Sequence, residues 1–232
     1  MHILLTRPLE DSHKLILKFQ SLGHIVSNIP LISIEKVNYE NLDFSKFNGI
    51  IFTSSNAIEH LEIKNINKRI DCFCVGNATE AMAKNAGFQN IYSASGNVNN
   101  LKEIILQNFE SSKGQLLYVS GEVISNDLDK QLILEGYNVE RIINYKAIQV
   151  EKFNSELIEQ LKQKMPDIVY VYSQNSAVSF LNLIKNYSLQ NLWLNTNLMC
   201  IGEKTSAVLN EIKWKKIFLF NSGEEEFLLY KI

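Results

Sequence analysis

Seven short polar clusters in this sequence each follow an apolar run, most of them leading into a helical pattern: Thr6-Arg7, Thr53-Ser54-Ser55-Asn56, Gly76-Asn77-Ala78-Thr79, Ser95-Gly96-Asn97, Ser120-Gly121-Glu122, Ser173-Gln174-Asn175-Ser176 and Gly202-Glu203-Lys204-Thr205. Free backbone N–H groups at helix starts, aided by hydroxyls, attract carboxylate or phosphate. Taken singly, each cluster reads first as a helix N-cap or a turn glycine, and Asn77 with Glu80 has the pattern of a capping box. Taken together, they describe a binding face of neutral donors, suited to a large polyanion without any basic patch. Arg7 adds one charge able to pair a carboxylate. Tyr39 and Tyr145 each lie in an extended joint, where a tyrosine either packs half-buried or presents its phenol to a ligand.

Other chemistries lack their residues. Neither a Ser-His-Asp nor a Cys-His arrangement is visible. The glycines match neither G-x-G-x-x-G nor G-x-x-x-x-G-K-[ST], which disfavours dinucleotide and P-loop readings. Cys72, Cys74 and Cys200, with His2, His13, His24 and His60, form no metal-ligand spacing, so neither a metal nor a disulfide is expected.

The clusters must be held by regular elements. Strand-like runs recur at 3–6, 25–34, 49–53, 72–75, 90–92, 116–120, 139–143, 168–173, 198–201 and 217–220. Amphipathic stripes sit between them, such as Leu15, Ile16, Phe19 and Leu22 before Gly23, and Leu128, Leu132 and Ile133 before Gly136. Alternating β and α units predict an α/β protein with mainly parallel sheets, and ten strands fit two five-stranded doubly wound sheets better than one closed barrel. Ligands bind such sheets at the carboxyl ends of the strands, where the clusters fall.

An internal repeat supports two units. Residues 74–81 match 200–207, residues 52–58 match 172–178, and residues 22–26 match 135–139 more weakly, all in the same order. The joints are expected at 33–39 and 145–152, extended segments able to pair as a two-stranded bridge.

With 232 residues and 46% hydrophobic side chains, the chain can bury a real core. A net charge of -2 without a basic block argues against nucleic acid as the main partner. No apolar run reaches membrane length, and residues 1–6 read as a strand rather than an export signal, so a cytoplasmic protein is expected.

These residues resemble the uroporphyrinogen-III synthase family over essentially the whole chain. The likeness rests on Leu5-Thr6-Arg7-Pro8, on 49–54 with Asn56-Ala57, on 75–79, on Gly96-Asn97 with Leu101, on Gly121-Glu122, on Tyr145, and on Ile201-Gly202 with Thr205. It implies two flavodoxin-like, doubly wound, parallel five-stranded domains joined by a two-stranded linker. Residues 1–34 and 152–232 would form one domain, 40–144 the other, and 35–39 with 145–151 the linker. It also implies the reaction: hydroxymethylbilane loses water, ring D is inverted and the macrocycle closes as uroporphyrinogen III, with no cofactor or metal. The substrate's eight carboxylates call for many donors. Loss of hydroxyl yields an azafulvene that closes by itself to the wrong isomer, so the enzyme acts chiefly by bending the chain and excluding water.

By this resemblance Tyr145 assists departure of the hydroxyl. Arg7, Thr53, Ser54, Ser55, Gly76, Asn77, Thr79, Gly96, Asn97, Gly121, Glu122, Ser173, Gly202 and Thr205 bind substrate in a protein expected to be a monomer. Two departures stand out: the turn at Ser173 is a loose version of the family's Thr-Ser turn, and the segment after Asn221 lacks the usual proline, which predicts a short last helix. A cytosolic two-lobed sensor of an anionic metabolite is the reading from another class; a flavin-binding relative lacks the hydroxyl-rich phosphate loop after the first strand.

Overall fold

The computed structural model of the chain describes residues 1–95, 98–221, 224–226 and 229, the side chain of Glu10 excepted. The chain runs through β1 (His2–Leu5), α1 (Leu9–Ser21), β2 (Ile25–Asn28), β3 (Ile32–Lys36), β4 (Phe47–Phe52), α2 (Ser55–Glu59), β5 (Asp71–Val75) and α3 (Asn77–Asn85). It continues through β6 (Asn90–Ala94), α4 (Val98–Asn108), β7 (Gln115–Gly121), α5 (Leu128–Leu134), β8 (Asn138–Gln149) and α6 (Ser155–Gln163). The last described elements are β9 (Ile168–Val171), α7 (Gln174–Asn186), β10 (Asn197–Ile201), α8 (Gly202–Leu209) and β11 (Lys216–Phe220). The segment expected to carry a last helix lies partly outside the described residues.

The chain divides into two compact units, unit 1 of Met1–Ser33 with Ile148–Ile232 and unit 2 of Ile34–Ala147. In unit 1 a five-stranded sheet has the order β11-β10-β9-β1-β2, with every pair parallel. Its central strand β9 is buried along its whole length, as a parallel strand covered on both faces must be. Leu4, Val169, Val171, Phe180 and Trp193 fill one face, and Ile3, Leu5, Phe19, Tyr170 and Met199 the other.

In unit 2 the sheet has six strands in the order β3-β8-β7-β4-β5-β6, not five. Five are parallel, and β3 is added along β8. Val37 N–H donates to the Asn144 carbonyl and Val150 N–H to the Leu31 carbonyl, so one index rises as the other falls and the added pair is antiparallel. Ile50, Phe52, Cys72, Cys74 and Leu117 pack one face, and Ile51, Phe73, Phe109, Leu116 and Tyr118 the other.

The run 25–34, read from sequence as one strand, is two strands in different sheets. Pro30 lies between them and has no N–H to give a ladder. The N–H groups of Ile29 and Leu31 instead bond the carbonyls of Leu5 and Thr6. The repeat becomes legible in the strand orders. The copies β4 and β9, β5 and β10, and β8 and β2 occupy matching places in their sheets. Each unit therefore takes strands from both halves of the sequence.

Candidate functional site

At the carboxyl ends of β1 and β9 in unit 1, most polar groups find partners within the protein, Arg7 Nε and the buried Tyr172 hydroxyl being exceptions among the described residues. The buried Thr6 hydroxyl donates to the Tyr170 carbonyl at 2.6 Å. The Arg7 guanidinium lies 3.8 Å from the centre of the Tyr172 ring and donates through Nη2 to Glu225 Oε1 at 2.8 Å. Glu225 is itself buried, and its carbonyl accepts from the Tyr170 hydroxyl at 2.7 Å. Burial pushes both the Tyr170 and Tyr172 phenols well above the usual range, with the Arg7 charge opposing the shift at Tyr172. Arg7, expected to bind substrate, is thus committed to an internal carboxylate. Ser173 is likewise a cap, its Oγ accepting from the Ser176 N–H at 3.0 Å at the head of α7. On the next strand, Gly202 opens α8 with φ +71° and is exposed, while Thr205 is buried one turn later with no hydrogen bond to its hydroxyl among the described residues.

In unit 2 the strand ends are less filled. Thr53 Oγ1 and the Tyr118 hydroxyl are 3.2 Å apart; burial raises the Tyr118 phenol, and the bond to Thr53 opposes that shift. Ser54 caps the short α2 by accepting from the Asn56 N–H, and Ser55 follows it, half-buried. Gly76 takes the N-cap place of α3 with φ +81°, a conformation glycine adopts without strain, and its N–H is spent on the Ala94 carbonyl. The capping box expected from Asn77 and Glu80 does not form. With Gly76 as the cap, exposed Asn77 is already inside the helix, and Glu80 pairs with Lys84. Thr79 is buried, its hydroxyl making no hydrogen bond among the described residues. Gly96 and Asn97 lie outside the described residues.

Tyr145 stands on β8 within unit 2. Its ring is half-buried against the cluster that holds Ile142 and Tyr39, and lies 6.4 Å from the His60 ring. Its hydroxyl has no hydrogen-bond partner among the described residues. Tyr39 differs: its hydroxyl accepts the Glu62 N–H at 3.0 Å. Glu122 is exposed and donates its N–H to the Tyr145 carbonyl at 3.0 Å; Gly121 is buried. Three participants escaped sequence reasoning. Arg141 reaches the turn at 120–122, Tyr118 holds Thr53, and Glu225 holds Arg7. Arg141 within the strand-like run 139–143 was the one available signal; nothing local marks Glu225.

A groove of about 430 Å³ in unit 1 runs along β2 and α6, lined by His2, Ser27, Leu157, Gln160 and Lys164 among others, and none of the expected site residues lines it. No group of three or more His, Cys, Asp or Glu able to hold a metal occurs among the described residues. No helix among them is long and apolar enough to cross a membrane.

The chain matches the family model described as Uroporphyrinogen-III synthase HemD over residues 13–219. No curated protein matches it significantly. Among solved structures it is similar to the uroporphyrinogen-III synthetase from Helicobacter pylori 26695, at 21% identity and a TM-score of 0.66, covering 100% of this chain and 99% of that one. It is also similar to a mutant uroporphyrinogen III synthase from the extreme thermophile Thermus thermophilus, at 14% identity and a TM-score of 0.52, covering 100% of this chain and 98% of that one. Those two likenesses establish the fold, and the family match, spanning most of the chain, establishes what the fold is for: this protein belongs to the uroporphyrinogen-III synthase family, cyclising lyases of tetrapyrrole biosynthesis.

Proposed function

We propose that the chain converts hydroxymethylbilane to uroporphyrinogen III with Tyr145 as the group that assists loss of the hydroxyl. The observation that carries this reading is the state of its phenol. Tyr118, Tyr137, Tyr170 and Tyr187 all place their hydroxyls on internal partners. Tyr145 is half-buried and lies on β8 opposite the last residue of β7. Its hydroxyl has no partner among the described residues and is able to donate to a departing oxygen, whereas the unpartnered Tyr172 hydroxyl is buried. An unspent donor in a partly dry setting is worth most when charge develops next to it.

Thr79 in unit 2 and Thr205 in unit 1 are the proposed neutral donors for substrate carboxylates. Each sits in the first turn of a helix after a positive-φ glycine, and neither hydroxyl has a hydrogen-bond partner among the described residues. Thr53, Ser55, Asn77 and Glu122 in unit 2 and Gly202 in unit 1 are the proposed lining groups. Arg7 and Ser173 leave the proposal, because Arg7 Nη2 is paired with the buried Glu225 carboxylate and Ser173 Oγ caps α7. The strand order β2-β1-β9-β10-β11 supports a flavodoxin-like description of unit 1, and the same places filled by β8-β7-β4-β5-β6 support it for unit 2. The test is incubation with freshly made hydroxymethylbilane, followed by oxidation and isomer analysis. Type III product above the spontaneous type I background is expected; type I alone would refute the reading.

A further inference from the structure

The reactive phenol is aimed by its own strand pair. The ladder between β7 and β8 runs in regular register from Gln115 opposite Asn138 to Ser120 opposite Ile143, then slips, so that Gly121 faces Tyr145. Asn144 is the extra residue of a bulge. Regular alternation would put Ile142 and Asn144 on one face and Tyr145 on the other. With the bulge, Ile142 and Tyr145 pack in the same cluster. Asn144 is fully buried and held there, its Nδ2 donating to the Ala57 carbonyl at 2.7 Å and its carbonyl accepting from Val37.

The opposing strand is shaped to receive the ring. A Cβ at Gly121 would lie 2.7 Å from Tyr145 Cζ, 2.8 Å from Cε2 and 3.0 Å from the hydroxyl oxygen. The phenol end of the side chain therefore rests directly on the Gly121 backbone, in space that any other residue would fill. That backbone is pinned from the far side. Arg141 donates through Nε to Ser120 Oγ at 2.8 Å, and through Nη2 to the carbonyls of Gly121 at 2.9 Å and Glu122 at 3.2 Å. A planar guanidinium can satisfy three acceptors at once, which an ammonium cannot do with the same geometry.

We infer that Gly121 and Arg141 are positioning residues for Tyr145, Gly121 by providing the bare backbone on which the phenol lies and Arg141 by fixing that backbone. The inference rests on the role proposed for Tyr145 and assigns Gly121 to the phenol instead of to the substrate. A displacement of about 1 Å in a reacting group costs on the order of a hundredfold in rate, so a Cβ that expels the ring should be felt in turnover.

The test is a kinetic cycle with isomer analysis on the full chain. Gly121→Ala should lower kcat at least tenfold while KM changes less than twofold, with melting temperature followed to exclude unfolding. Arg141→Lys, which keeps the charge and loses the fork, should lower kcat about threefold. Combined with Tyr145→Phe, neither substitution should cost much more than Tyr145→Phe alone, because both act through the same hydroxyl. Full kcat in Gly121→Ala, or losses that multiply in the double variants, would overturn the inference. If Tyr145→Phe alone keeps full rate, the catalytic reading of Tyr145 falls. Crystal structures of Gly121→Ala then decide the positioning claim: a displaced ring upholds it and an unmoved ring refutes it.

Discussion

The ends of β1 and β9 in unit 1 are mostly closed by the protein itself, whereas the edge of unit 2, like the end of β10 at Thr205, keeps groups in reserve. After β1 and β9, Thr6 bonds a carbonyl, Arg7 pairs with Glu225 over the Tyr172 ring, and Ser173 caps α7. In unit 2, Thr79 after β5 and Tyr145 on β8 have hydroxyls without partners among the described residues, and Asn77 and Glu122 are exposed. Both edges descend from the same repeated turns, so motif alone does not separate a binding group from a structural one. What separates them is whether a distant residue consumes the donor. Glu225, 218 positions along the chain from Arg7, does so in unit 1.

That contrast is broken most severely at Tyr145. Tyr145→Phe should slow type III formation by roughly a hundredfold, about 3 kcal/mol in the transition state, while the melting temperature stays close to that of the parent. Initial rates with isomer ratios measure it; an unchanged rate would remove the phenol from the chemistry.

Arg7→Ala should act on stability instead. It strands a buried carboxylate and uncovers the Tyr172 ring. The loss should be about 2–3 kcal/mol in a denaturant titration, below that of a fully buried pair because Arg7 keeps partial exposure. The three buried free thiols localise the damage: Cys200 reports on unit 1, Cys72 and Cys74 on unit 2. Arg7→Ala should speed labelling of Cys200 by a thiol reagent and leave the other two unchanged. Equal acceleration at all three would mean that the pair stabilises more than its own unit.

Thr79→Ala and Thr205→Ala should each raise KM by about 1 kcal/mol, roughly fivefold, because many neutral donors share the carboxylates. A larger effect at Thr205 than at Thr79 would reverse the comparison between the two edges.

The smallest expected effect is alkaline. Burial pushes the Cys200 thiol from its ordinary 9.0 up to about 12. The stability tied to keeping it protonated is complete below pH 9 and declines as pH rises from 9 toward 12, amounting to about 0.8 kcal/mol by pH 9.5. Burial raises Cys72 as well, after the stronger influence of its bond to Cys74, so unit 2 shares the trend. Cys200→Ala should flatten part of this limb in melts taken between pH 8.5 and 10.

Particular elements show why some of this was readable in advance. The runs 49–53 and 168–173 are apolar nearly throughout, which is how a parallel strand buried on both faces must read, and both are interior strands. The repeated Cys-x-Gly turns at 74–76 and 200–202 kept their strand-to-helix geometry, with φ of +81° and +71° at the two glycines. The break at Pro30 was written in the sequence as well, yet the extended residues on either side concealed it. Other features leave no local trace. The bulge at Asn144 is a mismatch between two strands, and one strand read alone carries no register. The ion pair of Arg7 depends on a partner from the far end of the chain. The role of Gly121 depends on a ring that faces it from the next strand, so the residue looked like one more turn glycine.

The exchange of strands between the halves of the sequence also sets an order of events during synthesis. Unit 2 is one continuous stretch, 34–147, and the last strand of its sheet is complete by the time residue 149 is joined. Unit 1 is not so placed. Its strand β1 lies between β2 and β9, and Thr6 meets Tyr170 164 positions later. At about 5–20 residues per second, the first two strands wait roughly 8–30 s for a neighbour on that side. Through that interval Ile3, Leu4 and Leu5 have no sheet to enter, while the continuous unit can already be complete. The half that closes last is also the half whose strand ends are sealed by Glu225, among the last described residues to be made.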